Sequence, residues 1–287
     1  MKDLIQLYKF YSPHGTEGET QICDWLVERF KQLGSGIQVE RKGNTIWHFE
    51  KGNQYLLSAH LDQVATNGPA VHFFKSDKGI IRAYNKDWQR TSLGADDKNG
   101  VWCILKLAEA GKNFDFIISE GEEVGCVGIN AIEEHIKEST AKIGIVIDRK
   151  SSTDILKGGS TDIYCDTLAG CLRNFWNNEC QENNYEVTTG SISDTRVICK
   201  YMESVNLCAN YEDAHTKNET TDWEGLQRTK RNLEFMFNSF KHYPSKPEVY
   251  VKKDYSTYYY RNYKKRESTL KDLFEDEYYK GDYYGRY

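Results

Sequence analysis

The sequence predicts an α/β protein: a three-layer α/β/α sandwich around a mixed, mostly parallel sheet. Three observations carry this expectation. Brief apolar runs at 114–119 and 143–147 alternate with stretches of helical period. Those runs lack the polar alternation of a half-exposed strand, so the central strands should be covered on both faces. His60, Glu122, Glu123 and Asp148 each stand at the C-terminal end of such a run, where open α/β sheets gather their ligands.

The elements follow in order. Residues 18–34 place Ile22, Trp25, Leu26, Phe30 and Leu33 on one helical face, and Gly34 marks the stop. Short β signals come next at 37–40, 45–49 and 55–59, separated by turns at Lys42-Gly-Asn44 and Lys51-Gly-Asn53. The stretch 94–100 reads as a loop, and 101–110 as an apolar helix. A buried strand at 114–119, a helix at 129–136 and a buried strand at 143–147 continue the alternation. Strands at 161–166 and 186–189 flank a helix beginning near Leu168, and 205–209 is a further strand. The last helix, 222–241, turns Trp223, Leu226, Leu233, Phe237 and Phe240 inward. From Tyr243 onward the periods vanish, and 12 of the 20 tyrosines fall in the final 45 residues. This gives one domain over 1–242 and a Tyr-rich, flexible tail over 243–287.

Composition narrows the function. A length of 287 residues is ample for a real core. The net charge of −5 argues against a nucleic-acid binder built on overall basicity. No window approaches ~20 consecutive apolar residues. The start, Met1-Lys-Asp-Leu-Ile-Gln-Leu-Tyr8, has no basic segment before an apolar core, so neither a membrane span nor a secretory signal is expected. Eight cysteines show no CxxC spacing. Cys103, Cys126, Cys165, Cys199 and Cys208 lie in or beside apolar runs, as small hydrophobes do in a reducing, cytoplasmic compartment.

The chemistry lies in six side chains: His60, Asp96, Glu122, Glu123, Asp148 and His215. Their contexts are Ser58-Ala-His-Leu-Asp62, Gly94-Ala-Asp-Asp-Lys-Asn-Gly100, Ser119-Glu-Gly-Glu-Glu-Val-Gly125, Ile145-Val-Ile-Asp-Arg149 and Asp213-Ala-His215. Each alone has a bland reading: HxD arises by chance, paired glutamates form solvated faces, and the Gly-Ala-Asp-Asp stretch is a turn. Together they offer two imidazoles and several carboxylates, the ligands of a pair of bridged zinc ions. Asp96 has two oxygens with which to bridge. Asp62, two residues beyond His60, is placed to fix its tautomer. One of the adjacent glutamates can ligate while the other acts as general base. His14, His48, His72, His135 and His242 have no such context and read as structural.

These contexts resemble the zinc-dependent exopeptidases of the carboxypeptidase and aminopeptidase clan, most closely the tripeptide-aminopeptidase type. The family's HxD matches His60-Leu-Asp62, its GADDKAG matches 94–100 with Asn99 in place of Ala, and its EEVG matches 122–125. Its strand-terminal Asp matches Asp148, and its late His followed by Glu matches His215 and Glu219. The stretch Ser12-Pro-His-Gly-Thr-Glu-Gly-Glu19 is similar to the family's entry into the first helix. The resemblance spans roughly residues 4–240 and implies the phosphorylase/hydrolase-like exopeptidase fold. It implies one metal at His60, Asp96 and Asp148 and another at Asp96, Glu123 and His215. Glu122 is then the general base, Asp62 the orienting partner, and Asp96–Asp97 a cis peptide. It implies two Zn2+, with Co2+ or Mn2+ as substitutes, and a substrate-pocket segment at Ser193-Asp-Thr-Arg196 offering Asp194 and Arg196. An aspartate at 148 leans toward aminopeptidase activity. Relatives insert a lid or dimerisation domain between the counterparts of Asp148 and Ser193. Here that interval is 44 residues, so a single lidless catalytic domain is expected.

The leading expectation is therefore a cytoplasmic dizinc aminopeptidase acting on short peptides, monomeric or oligomeric. A dipeptidase or deacylase shares the same metal shell. A different class is an inactive binding protein working through its tail, where Tyr255 to Arg266 interleaves aromatics with basic residues as polyanion binders do. The plainer reading of that tail is solubilising or partner-docking.

Overall fold

A computed structural model describes residues 1–34, 36–157, 163–180, 184–190, 193–241 and 248–249. The chain divides into a unit Met1–Val249 and a second unit, Tyr250–Tyr287. The Tyr-rich stretch read above as a tail lies outside the described residues, apart from Glu248 and Val249.

The first unit begins with helices α1 (Lys2–Tyr8) and α2 (Glu17–Gln32), then strands β1 (Glu40–Lys42), β2 (Thr45–His48) and β3 (Tyr55–His60). A set of short strands follows: β4 (His72–Lys75), β5 (Ile80–Tyr84) and β6 (Arg90–Thr91). Next come α3 (Ala95–Glu109), β7 (Asp115–Ser119), α4 (Val127–Ala131), α5 (Glu133–Ile136) and β8 (Ile143–Arg149). The remainder is β9 (Asp154–Leu156), β10 (Ile163–Tyr164), α6 (Asp166–Asn178), β11 (Glu186–Thr188), α7 (Thr195–Ile198) and β12 (Glu203–Cys208). β13 (Tyr211–Glu212), β14 (Thr220–Asp222), α8 (Trp223–Ser239) and β15 (Glu248–Val249) complete it.

The main sheet runs β1-β2-β7-β3-β8-β12-β9-β11. Its centre, β7-β3-β8-β12, is parallel, while β1, β2 and the β12–β9 pair add antiparallel edges. The expected mixed, mostly parallel sheet is thus present, and consecutive side chains show why its strands read as unbroken apolar runs. Leu57, Ile118, Ile145 and Ile147 pack into the larger core with α1, α2, α3 and α8. Their neighbours Leu56, Ile117 and Val146 face the opposite way, packing with Ile129, Ile136 and Val197 from α4, α5 and α7. Burying each such side chain stabilises the fold by roughly 1.5–3 kcal/mol, so both faces need helices.

Several boundaries differ from the sequence reading. The stretch expected as a loop at 94–100 is the entry to α3, with Asp96 and Asp97 non-helical inside it. The helix expected at 129–136 breaks at Ile132 into α4 and α5. The strand expected at 37–40 begins only at Glu40. Within the strand expected over 161–166, Asp166 already belongs to α6, and residues 161–162 lie outside the described residues. A second sheet, β13-β14-β5-β4 with β6 on β5, was not foreseen. No helix among the described residues is long and apolar enough to cross a membrane.

Candidate metal centre

Three neighbouring parallel strands deliver the first side chains to one edge. His60 ends β3, Asp148 is the penultimate residue of β8, and Glu122 and Glu123 lie in the turn after β7. Asp96 precedes the helical part of α3, and its peptide bond to Asp97 is cis. His215 sits in the turn after β13 at φ +63°.

Nε2 of His60 lies 3.2 Å from Asp96 Oδ1 and 3.6 Å from Asp148 Oδ1. Nε2 of His215 lies 3.2 Å from Asp96 Oδ2 and 2.7 Å from Glu123 Oε1. Asp96 therefore turns one oxygen to each imidazole. His60, Glu122 and Asp148 present ligand atoms within 4.8 Å of one another, as do His60, Asp96 and Glu123. Two donor atoms each 2.0–2.2 Å from a shared ion at a tetrahedral angle stand about 3.3–3.6 Å apart, close to most of these separations. Glu123 Oε1 gives a second sign. It is buried and makes no hydrogen bond, although an imidazole nitrogen is 2.7 Å away. The donor set fits a divalent metal.

His60, Asp96, Asp148 and the backbone carrying Glu122 and Glu123 are held from behind. Nδ1 of His60 faces the Asp62 carbonyl at 3.1 Å and the Asp62 carboxylate at 3.3 Å, which leaves Nε2 for the cluster. The same carboxylate accepts the backbone N–H groups of Glu122 (2.9 Å) and Glu123 (3.2 Å). Asp97 accepts from the amides of His60 and Gly100, tying β3 to α3. A Cβ at Gly100 would stand 2.3 Å from the Ile147 carbonyl oxygen and 2.5 Å from the Asp97 carboxylate, so only glycine lets α3 approach. Buried Glu219 accepts from Ser92 Oγ and from the amides of Ala95 and Asp96, fixing the Asp96 backbone. Asn206 clamps the Asp148 backbone with its amide oxygen and nitrogen, and Tyr211 donates to Asp148 Oδ1 at 3.3 Å. The sequence reading assigned no role to Asp97, Asn206, Tyr211 or Glu219. Only Asp97 and Glu219 carried a signal, their places in the quoted motifs.

The charged groups of the cluster shift one another's proton affinities strongly. Burial would drive the proton off His60, but Asp148, Asp62 and Asp96 outweigh it and hold the pKa well above the ordinary value. Asp96 and Glu123 push His215 up to about 10. Burial opposes ionisation of Asp96, yet His215 and His60 hold its carboxyl below the ordinary range. Burial, then the Asp96 charge, pushes Asp148 up to about 7. Burial, with Asp148, Asp194 and Glu123 nearby, pushes Glu122 up to about 9. Beneath them Lys98 is fully buried and driven down to about 7 by that burial, its ammonium donating to the Phe10 carbonyl at 2.6 Å and to Gln63.

Asp194 and Arg196, expected at the substrate pocket, are not among the residues that line the cavity beside the cluster. Arg196 is exposed on α7. Asp194 is 1% exposed and accepts from Ser119 Oγ (2.7 Å) and Ser58 Oγ (3.1 Å), joining the ends of β7 and β3. Burial pushes Asp194 up to about 6 from 3.8. Its folded pKa exceeds the unfolded one, so its contribution to stability is present below the unfolded value and lost as pH rises through about 6. The shift corresponds to about 3 kcal/mol. Metal-free Asp194→Asn should therefore lose less stability between about pH 4.5 and pH 7.5 than the metal-free wild type, read by chemical denaturation. Equal losses would remove Asp194 from the folding balance.

A cavity of about 300 Å³ opens over the cluster. Asp96, Glu122, Glu123, Asp148 and His215 line one side; Arg149, Lys150, Leu156, Asn206, Tyr211 and Ala214 line the rest.

Solved structures share this architecture. The aminopeptidase PepT from Bacillus cereus superposes with a TM-score of 0.64 at 17% identity, covering 81% of this chain and 95% of that one. A tripeptidase from Staphylococcus aureus gives 0.64 at 15%, covering 83% and 98%. A Zn-dependent exopeptidase from Parabacteroides distasonis gives 0.58 at 18%, covering 82% and 96%. The chain has the fold of these solved peptidases. In sequence, the chain is 26% identical over 167 residues to the uncharacterized protein YqjE of Bacillus subtilis (strain 168), spanning 52% of this chain but only 42% of that relative. No family model matches the sequence.

Proposed function

We propose that the chain is a metal-dependent aminopeptidase that removes N-terminal residues from short peptides with two zinc ions. His60, Asp96 and Asp148 would hold one ion and Asp96, Glu123 and His215 the other. One observation carries this reading: Asp96 turns its two oxygens to two different imidazoles at the strand ends of an exopeptidase fold. Solved neighbours named as an aminopeptidase and a tripeptidase support a peptide substrate.

When bound, a pair of divalent ions supplies Lewis acidity and acidifies water, and Co2+ or Mn2+ would serve at the same N/O donor set. The chain's own residues orient and move protons. Asp62 fixes the His60 tautomer and the Glu122–Glu123 backbone together. Glu122 lines the cavity; it takes a proton from the attacking water and passes it to the departing amine. The segment after Asp148 adds β9 and β11 to the main sheet, and we read the unit as one catalytic domain whose substrate walls are Arg149, Lys150, Leu156, Tyr211 and Ala214.

The test is zinc-dependent release of amino acids from free-amine peptides, compared with N-blocked amides. Hydrolysis of the free-amine set that chelation abolishes is expected. Activity confined to the blocked set would replace the aminopeptidase with a deacylase, and hydrolysis insensitive to chelation would end the metallopeptidase reading.

A further inference from the structure

The turn carrying Glu122 and Glu123 is anchored by a carboxylate outside the metal cluster. Glu19, in the first turn of α2, is completely buried. Its Oε1 accepts the Gly121 N–H at 3.2 Å, and its Oε2 accepts the Gly15 N–H at 2.8 Å. The next two amides, those of Glu122 and Glu123, end on Asp62. Three consecutive N–H groups thus converge on two buried carboxylates, and the turn has little freedom to swing. His14 closes the arrangement. Its Nδ1 lies 3.2 Å from Glu19 Oε1, and a Cβ on Gly121 (φ +61°) would meet its ring at 2.9 Å.

His14, Glu19 and Glu120 also bring ligand atoms within 4.8 Å of one another. The hydrogen bonds argue against an ion there. Amides of Gly121 and Gly15 point at both Glu19 oxygens, and the Asn44 amide donates to Glu120 Oε2 at 3.0 Å. Each Glu19 oxygen and Glu120 Oε2 is already engaged by a backbone donor, and the cluster works as a clamp.

We propose that Glu19 is a positioning residue which, through Gly121, aims Glu122 and Glu123 at the reacting centre. The catalytic part of this statement rests on the function proposed above; the clamp itself does not. A glutamine at 19 keeps the size but has one oxygen for two N–H donors, and its NH2 would confront the other amide. Misplacing a catalytic group by ~1 Å costs on the order of 10²-fold.

The experiment reads two quantities on the full chain. Glu19→Gln should lower kcat by about 10- to 100-fold with KM within about twofold of wild type. It should also speed amide hydrogen exchange across residues 120–126 while α8 keeps wild-type protection. Glu17→Gln, on the exposed side of the same turn, should leave both readouts unchanged. Wild-type exchange at 120–126 would overturn the clamp, as would protection lost uniformly through α8. Wild-type kcat with loosened exchange would overturn the aiming role. If Glu19→Gln does not fold, Glu19→Asp, which keeps both acceptors but shortens the reach, is read in the same way. A wild-type chain inactive on every peptide would refute the proposed function, while the exchange readout still judges the clamp.

Discussion

Glu122→Gln should lower peptide hydrolysis by about 10²- to 10⁴-fold, the usual contribution of a positioned general base, while the purified protein keeps the wild-type metal content. The substitution is nearly isosteric and leaves the supports of the turn in place, since Asp62 grips the backbone of residues 122 and 123 rather than the Glu122 side chain. What changes is proton affinity. Burial and the carboxylates of Asp148, Asp194 and Glu123 raise that affinity in the metal-free cluster, and divalent charge beside Glu122 lowers it toward the working range. An amide has no such proton to exchange. Metal analysis alongside kinetics separates the alternatives. Activity within tenfold of wild type would assign the proton transfer to another group. Metal lost together with activity would make Glu122 a ligand, a role its place beside His60 and Asp148 permits.

The residues read most easily from the sequence are those whose position depends on local pattern. His60, Glu122, Glu123 and Asp148 follow buried parallel strands, and such strands announce themselves as apolar runs because both faces are covered. The supports were hidden for the opposite reason. Glu219 reaches the Ala95 and Asp96 amides across more than a hundred residues, and Asn206 reaches Asp148 from a neighbouring strand. Nothing within a ten-residue window distinguishes Asn206 from an ordinary polar strand residue, and Glu219 has only its spacing from His215 to mark it. The second sheet escaped similarly. Residues 80–84 do alternate, with Ile81 and Ala83 buried, and pair locally with β4 and β6, but the sheet is extended on the other side by β14, three residues long and far away in sequence. The break at Ile132 leaves Ile129, Ile132 and Ile136 all buried, so the apolar spacing continues straight through it.

Removing Asp96 should empty both metal positions, whereas removing His215 should empty one. The wild type is expected to bind about two divalent ions, His215→Ala about one, and Asp96→Ala fewer than one, measured by elemental mass spectrometry after dialysis. The difference follows from geometry. Asp96 Oδ1 sits beside His60 and Asp148, while Oδ2 sits beside His215 and Glu123. Without the bridge, His60 with Asp148 and His215 with Glu123 are left as two-residue fragments, short of the three protein ligands a catalytic zinc keeps. His215 is also more exposed than the other proposed ligands, its side chain 47% accessible, so its loss need not disturb the buried half around His60. Proton linkage adds a second readout. In the metal-free cluster the carboxylates raise the pKa of His60, push His215 up to about 10, and Asp148 rises to about 7. Uptake must displace protons from these groups, so affinity should rise with pH across this range. In His215→Ala the rise above about pH 8 should weaken, because the highest-titrating ligand is gone. An Asp96→Ala chain that still binds one ion tightly would show that the two halves are independent sites, and the shared carboxylate at the centre of the proposed mechanism would have to be abandoned.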